Sequence, residues 1–175
     1  GIPYDSGDIH SSVVEKNGIQ YQLQSSTNTY ILTKASQNGQ GEIVIPEKIN
    51  GKKVTGILER AFYRCEKAEG IKIPDTVTSI GQYAFAHSGI KNVRLPSKLT
   101  RIEAYTFLNA PLESVSIPDK VRFIGEGAFS GCYRLTQLKL PDSVSSLGES
   151  AFSSCSALKT ADLSDKIKTI PALCF

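Results

Sequence analysis

The chain is 175 residues long, carries 20 Lys and Arg against 17 Asp and Glu for a formal charge of +3, and is 40% hydrophobic. That apolar content is enough for a core of ordinary size and excludes a disordered chain. The charge excess is thin for a protein that lives on phosphate backbones, no apolar run reaches the length of a membrane helix, and Trp and Met are absent with only two His.

At the amino end, GIPYDSGD lacks the basic-then-apolar order of a signal peptide. Two alternating runs, 13–16 and 19–23, flank Asn17-Gly18, a pair that favours a type I′ turn and so predicts a β-hairpin. A third run lies at 30–33, and 37–41 leads into a strand at 43–45. Residues 1–41 are expected to form a β-hairpin/meander cap over the core and strand edge of the adjoining segment. An independent small β-domain is the alternative.

From 42 onward the sequence repeats. Six of its seven Phe, at 62, 85, 107, 129, 152 and 175, are spaced 23, 22, 22, 23 and 23 residues apart. A small residue precedes each: Ala61, Ala84, Thr106, Ala128, Ala151 and Cys174. Apolar-Pro steps recur in phase at Pro46, Pro74, Pro96, Pro118 and Pro141, with Leu163-Ser164 as the variant. Residues 118–140, PDKVRFIGEGAFSGCYRLTQLKL, show one unit cleanly. The first unit carries a five-residue insertion, INGKK at 49–53, and two middle units drop one residue after their Phe. Each unit reads as a short strand stopped by Pro, a type I turn with Pro at its second position, a second extended segment such as Val144-x-x-Leu147, and one helical turn through Gly-x-x-Ala-Phe. A unit of this length cannot close a core alone, whereas stacked units can, so residues 42–175 are expected to form a repeat solenoid of about five and a half repeats with the Phe rings as its spine. The column Leu58, Gly81, Glu103, Gly125, Gly148, Pro171 includes a Pro, so it does not demand a left-handed backbone. Its glycines signal close passage of the chain.

The strings IPDTVTSIGQYAF (73–85) and AFSGCYRLTQLKLPDSVSSLGESAFSSCSAL (128–158) resemble the BspA-like, Treponema-type leucine-rich repeats. That resemblance, which covers about 42–175, implies a right-handed superhelix with a parallel sheet on its concave side. It also implies an exported bacterial surface protein from a family linked to adhesion to host proteins. Glu103, Thr106 and Ser164 depart from the pattern.

Several constellations invite chemistry. Cys65, Cys132 and Cys155 each stand three residues after a spine Phe, where other units have Ser88 and Ala110, which reads as a buried column of small residues. Stacking also brings Cys132 and Cys155 within disulfide range, though parallel side chains would strain the bond. The acidic column Glu47, Asp75, Asp119, Asp142, Asp165 lacks the glycine-rich loops of calcium-binding rolls and reads as turn chemistry, its repulsion relieved by Lys48, Lys98, Lys120 and Lys166. Neither His10 nor His87 is placed beside a recognisable nucleophile. No catalytic residue, cofactor or metal is therefore expected.

The candidate binding surface is the concave sheet. Alternation turns Ile71/Ile73, Val93/Leu95, Val115/Ile117, Leu138/Leu140 and Ala161/Leu163 inward. The outward columns supply Lys72, Asn92, Arg94, Ser116, Gln137, Lys139, Thr160 and Asp162, which are polar and lack an aromatic anchor. Phe123, outside the spine, either packs locally or marks a contact patch. With the concave sheet as the binding surface, the expected function is a non-enzymatic protein-binding module; the family resemblance implies that it acts at a cell surface or outside the cell, with a host matrix or plasma protein as ligand. A glycan-binding accessory protein and a purely structural spacer are the alternatives. The last unit stops at Phe175 without a closing strand, so either the natural protein continues or a second copy covers that end.

Overall fold

A computed structural model describes residues 12–175. The amino-terminal strands β1 (Val13–Lys16) and β2 (Ile19–Gln24) form the predicted antiparallel hairpin, with Lys16 opposite Ile19. Asn17 and Gly18 both take positive φ, 53° and 77°, as a type I′ turn requires. Strand β3 (Thr29–Ala35) pairs antiparallel with β2. Next come β4 (Gly41–Val44), β5 (Lys48–Ile49) and β6 (Lys52–Ile57). The insertion at 49–53 turns out to build the β5–β6 hairpin around Asn50 (φ 52°) and Gly51 (φ 77°), the same turn made by the same dipeptide.

The remaining strands are short: β7 (Ala68–Lys72), β8 (Ser79–Ile80), β9 (Asn92–Arg94), β10 (Arg101–Ile102), β11 (Phe123–Ile124), β12 (Gln137–Lys139), β13 (Ser146–Leu147) and β14 (Thr160–Asp162). They stack in register as parallel ladders. One ladder joins the strands that precede the prolines, β4-β7-β9 and then β12-β14. A second joins β3-β6-β8 and then β10-β11-β13, so the amino-terminal strands continue it without a break in hydrogen bonding. Ile57, Ile80, Ile102, Ile124 and Leu147 turn inward from the second ladder, and Ile71, Ile73, Leu138 and Leu140 from the first. A single buried cluster runs from Ile19 to Cys174. Ala161, expected to face inward, is exposed, because β14 is paired on one side only.

The Phe spine is present in full. Adjacent rings along the series from Phe62 to Phe175 lie 5.2–5.5 Å apart between centroids and within 5–19° of parallel. Those spacings slightly exceed the strand-to-strand repeat, as offset stacking allows.

The helical turn expected around each Phe is absent: among the described residues there is no helix. The residues two before and two after each Phe adopt positive φ instead, as at Arg60 and Arg64, Tyr83 and His87, Tyr105 and Asn109, Gly127 and Gly131, Ser150 and Ser154. Alternate N–H groups then leave the local turn. Arg60, Phe62 and Arg64 donate to the carbonyls of Gln82, Ala84 and Ala86 in the next unit at 3.0, 2.7 and 3.0 Å. Only the intervening Ala61, Tyr63 and Cys65 close i→i+3 turns. A helix would have turned all these donors along its own axis, whereas this backbone makes a third ladder between units.

Two further expectations change. The turn after each strand closes on the proline carbonyl, with Val77 donating to Pro74, Leu99 to Pro96, Val121 to Pro118 and Val144 to Pro141 at 3.1–3.2 Å. Proline thus holds the first turn position, not the second. Only its carbonyl is used, which is why Ser164 can stand in, accepting from Ile167 at 3.2 Å. The glycine column is explained by proximity: a Cβ on Gly81 or Gly148 would lie 2.3 Å from the backbone N of Glu59 or Glu126.

Candidate functional site

The structure gathers some of the predicted surface residues and separates others. Lys72, Asn92 and Arg94 lie together on the β4-β7-β9 face with Glu42, Glu69 and Lys91, around a depression of about 350 Å³. Gln137, Lys139, Thr160 and Asp162 form a second exposed group, Gln137 opposite Thr160 and Lys139 opposite Asp162. Ser116 joins neither: it is exposed, but 113–117 forms no strand, and this gap splits the first ladder in two. The turn leading into the gap holds Pro111, one unit on from Gly89. The Gly89 N–H donates to the Cys65 carbonyl at 3.1 Å, a bond proline cannot make.

The basic residues of the first group are engaged. Lys72 Nζ lies 3.0 Å from Glu42. Arg94 grips both oxygens of Asp75 at 3.1 and 3.3 Å and also donates to the Ile73 carbonyl at 3.1 Å. Asp75 additionally accepts the Ser97 N–H at 2.9 Å. The Arg94 hydrogen bonds, aided by the Ser97 N–H, hold the Asp75 carboxyl down at about 2. Among the described residues none of Lys48, Lys98, Lys120 and Lys166 forms an ion pair, so the relief expected from them is supplied at Asp75 by Arg94 from the next unit. Glu42 was legible, since Ile43/Ile45 continue the inward pairs by one strand and place Glu42 and Val44 in the outward columns. Asp75 carried a signal too, its place in the acidic column, but its partner lies 19 residues away.

Phe123 packs locally, with the Arg101 guanidinium 5.2 Å from its ring centroid. The cysteines are free and buried. The Cys132 and Cys155 thiols donate to the carbonyls of Phe107 and Phe129 at 3.3 and 3.2 Å, so they serve the small-residue column and are not bridged. Burial pushes the Cys155 thiol up to about 11 and the Cys132 thiol well above its usual value. His10 lies outside the described residues. The one side-chain hydrogen bond of His87 among them joins its Nδ1 to the Asn109 amide at 3.3 Å.

Sequence reasoning missed two features. A groove of about 710 Å³ runs over the second ladder beside Thr29, Ile31, Thr55, Ser79 and Gln82. Its hydroxyls are linked, Thr55 Oγ1 to Thr29 Oγ1 at 3.0 Å. Aromatic residues are also present, but on the Phe side: Tyr83 stacks on Tyr105 at 5.0 Å, and the Arg60 guanidinium lies 4.6 Å from the Tyr83 centroid.

The six in-phase copies are also what comparison with known proteins finds. A profile of the BspA type leucine rich repeat region matches residues 55–175 in six copies. The chain belongs to the BspA-type leucine-rich repeat family. Among solved structures it is similar to a leucine rich cell surface protein from Faecalibacterium prausnitzii (28% identity, TM-score 0.80, covering 86% of this chain and 39% of that one). It is likewise similar to a leucine-rich repeat protein from Bacteroides ovatus (28% identity, TM-score 0.81, 90% and 43%) and to the leucine rich repeat protein of T. pallidum (25% identity, TM-score 0.74, 88% and 84%). The chain thus spans less than half the length of the Faecalibacterium and Bacteroides relatives. No curated protein matches. The fold is that of bacterial surface-type leucine-rich repeat proteins, and among the described residues no helix is long and apolar enough to cross a membrane.

Proposed function

We propose that this BspA-type chain is a non-enzymatic protein-binding module displayed at a bacterial cell surface or released from it. In this reading residues 1–41 cap the first coil and residues 42–175 carry the binding face. The observation that carries the reading is the β4-β7-β9 face, where Lys72, Asn92 and Arg94 stand exposed around a shared depression on a backbone fixed by ladders on either side. Such a scaffold loses little conformational freedom on binding, so many modest polar contacts can add up. Host matrix and plasma proteins are the ligand class to which the reading extends, with Ser116, Gln137, Lys139, Thr160 and Asp162 lengthening the surface for an extended partner.

The test is interferometry of the purified chain on immobilised fibronectin, fibrinogen and collagen at two salt concentrations. A saturable, salt-sensitive signal is expected on one of them. Lys72→Ser, Asn92→Ala and Lys139→Ser together should remove it while leaving the melting temperature in place. Arg94 is spared in this variant because it anchors Asp75. Unchanged binding by the triple variant would discard this face, and silence on every protein would favour a spacer.

A further inference from the structure

The two units that drop a residue do so side by side, and the loss shapes the surface. Ile71 stands nine positions after Phe62 and Leu138 nine after Phe129, whereas Val93 and Val115 stand eight after Phe85 and Phe107. The two short connections lie low between their longer neighbours. Gly89 sits so close beneath the preceding connection that a Cβ on it would lie 2.1 Å from the Glu66 carbonyl, and Pro111 beside it is buried. The result is a recess of about 460 Å³ floored by Ser88, Gly89 and Pro111, with Arg64 on one wall and Tyr133 and Arg134 on the other.

Its chemistry is mixed. Arg64, Lys91 and Arg134 reach the recess, and among the described residues none of them has a carboxylate partner. Tyr133 is 51% exposed, an uncovered ring at the rim. Asn109 and His87 line it as a hydrogen-bonded pair, the amide 3.3 Å from the imidazole Nδ1. Glu66 and Glu69 line the same space. Three cations beside two carboxylates leave one net positive charge, which matches a ligand with one negative charge and several hydroxyls and leaves most of the charge of a polyphosphate or polysulfate uncompensated. Arginine suits a carboxylate, an open tyrosine face suits the C–H face of a sugar ring, and amide, imidazole and carboxylate groups suit hydroxyls. The volume lies within the range of small-ligand sites.

We propose that this recess binds a carboxylated sugar, a uronic or sialic acid unit of a polysaccharide or glycan. Arg134, Arg64 and Lys91 would take the carboxylate, and Tyr133 the ring. The recess borders the strand-face depression and shares Glu69 and Lys91 with it, but the residues varied to test each are different, so either reading can fail without the other. The test is a two-dimensional amide NMR titration of the whole chain with glucuronic acid and N-acetylneuraminic acid, with glucuronic acid methyl ester, glucose and a sulfated disaccharide as comparisons. At least one of the two acids should give saturable shifts centred on residues 64–66, 87–91, 109 and 133–134, with a Kd near ~1 mM or tighter. The neutral sugars should give none. Tyr133→Ala with Arg134→Ala, both at exposed positions, should weaken binding by about tenfold or more with the spectrum otherwise intact. No saturable shift from either acid, equal shifts from glucose, a response to the sulfated sugar alone, or full binding by the double variant would each overturn the proposal.

Discussion

The two long sides of this solenoid are built by different rules. On the phenylalanine side every unit repeats the same hydrogen bonds: Phe62, Phe85, Phe107, Phe129 and Phe152 each donate to the next unit at 2.7–2.9 Å. On the strand side the ladder stops at 113–117 and resumes at β12. The phenylalanine side tolerates no change of ring in six copies, while the strand side changes its outward residues from unit to unit. Fold specification is concentrated on one side, which leaves the other free to carry chemistry.

That contrast can be broken by substitution. The largest expected effect is at Phe107, fully buried and stacked on both neighbours: Phe107→Ala should cost roughly 3–5 kcal/mol in denaturant unfolding, whereas Ser116→Ala should stay within about 0.5 kcal/mol. Equal losses at the two sites would end the comparison. Gly81→Ala drives a Cβ into the Glu59 backbone and should cost about 1–3 kcal/mol by the same measurement. In the opposite direction, Ser154 holds φ at 56° on an exposed turn, so Ser154→Gly should stabilise by about 0.5–1 kcal/mol. A loss there would mean the left-handed columns are not strained.

The smallest effect concerns charge on the strand side. Asp75 titrates at about 2 in the folded chain, below its ordinary 3.8. A depressed carboxylate contributes stability above its unfolded value, and that contribution fades as pH falls from about 4 through about 2. Arg94→Ala should return the Asp75 midpoint most of the way to the ordinary range in a carboxyl-carbon NMR titration and flatten that part of the stability profile. An unmoved midpoint would assign the shift to Ser97 instead.

How much of this was legible depended on the range of the interaction. The Phe column announces itself because a stacked ring has one solution and repeats it. The hairpin at Asn17-Gly18 comes from two residues, and the identical signal at Asn50-Gly51 was there to be read but was hidden inside what looked like a loop insertion. The helical turn was misread because Gly-x-x-Ala-Phe has the spacing of a helix. What excludes one is the neighbouring unit, whose carbonyls claim alternate N–H groups, and only Gly127, Gly131 and Asn109 hint strongly at the left-handed positions. All the predicted surface residues except Ser116 stand on strands, in two clusters, and Lys72 pairs with Glu42 in a strand the columns could have included. The Arg94–Asp75 grip and the recess over Gly89 depend on how one unit settles on the next, which no single repeat encodes.

The turn ladder has an electrical consequence. Its three inter-unit bonds all run the same way, from an N–H in one unit to a carbonyl in the following one, as with Tyr83, Phe85 and His87 donating to Ala104, Thr106 and Leu108. In a β-strand successive peptides point in opposite directions and their dipoles cancel. Here they add, as they do along a helix. The phenylalanine side is therefore polarised along the solenoid axis, with its positive pole toward the carboxyl-terminal units and its negative pole toward the first unit, and each added repeat lengthens the dipole.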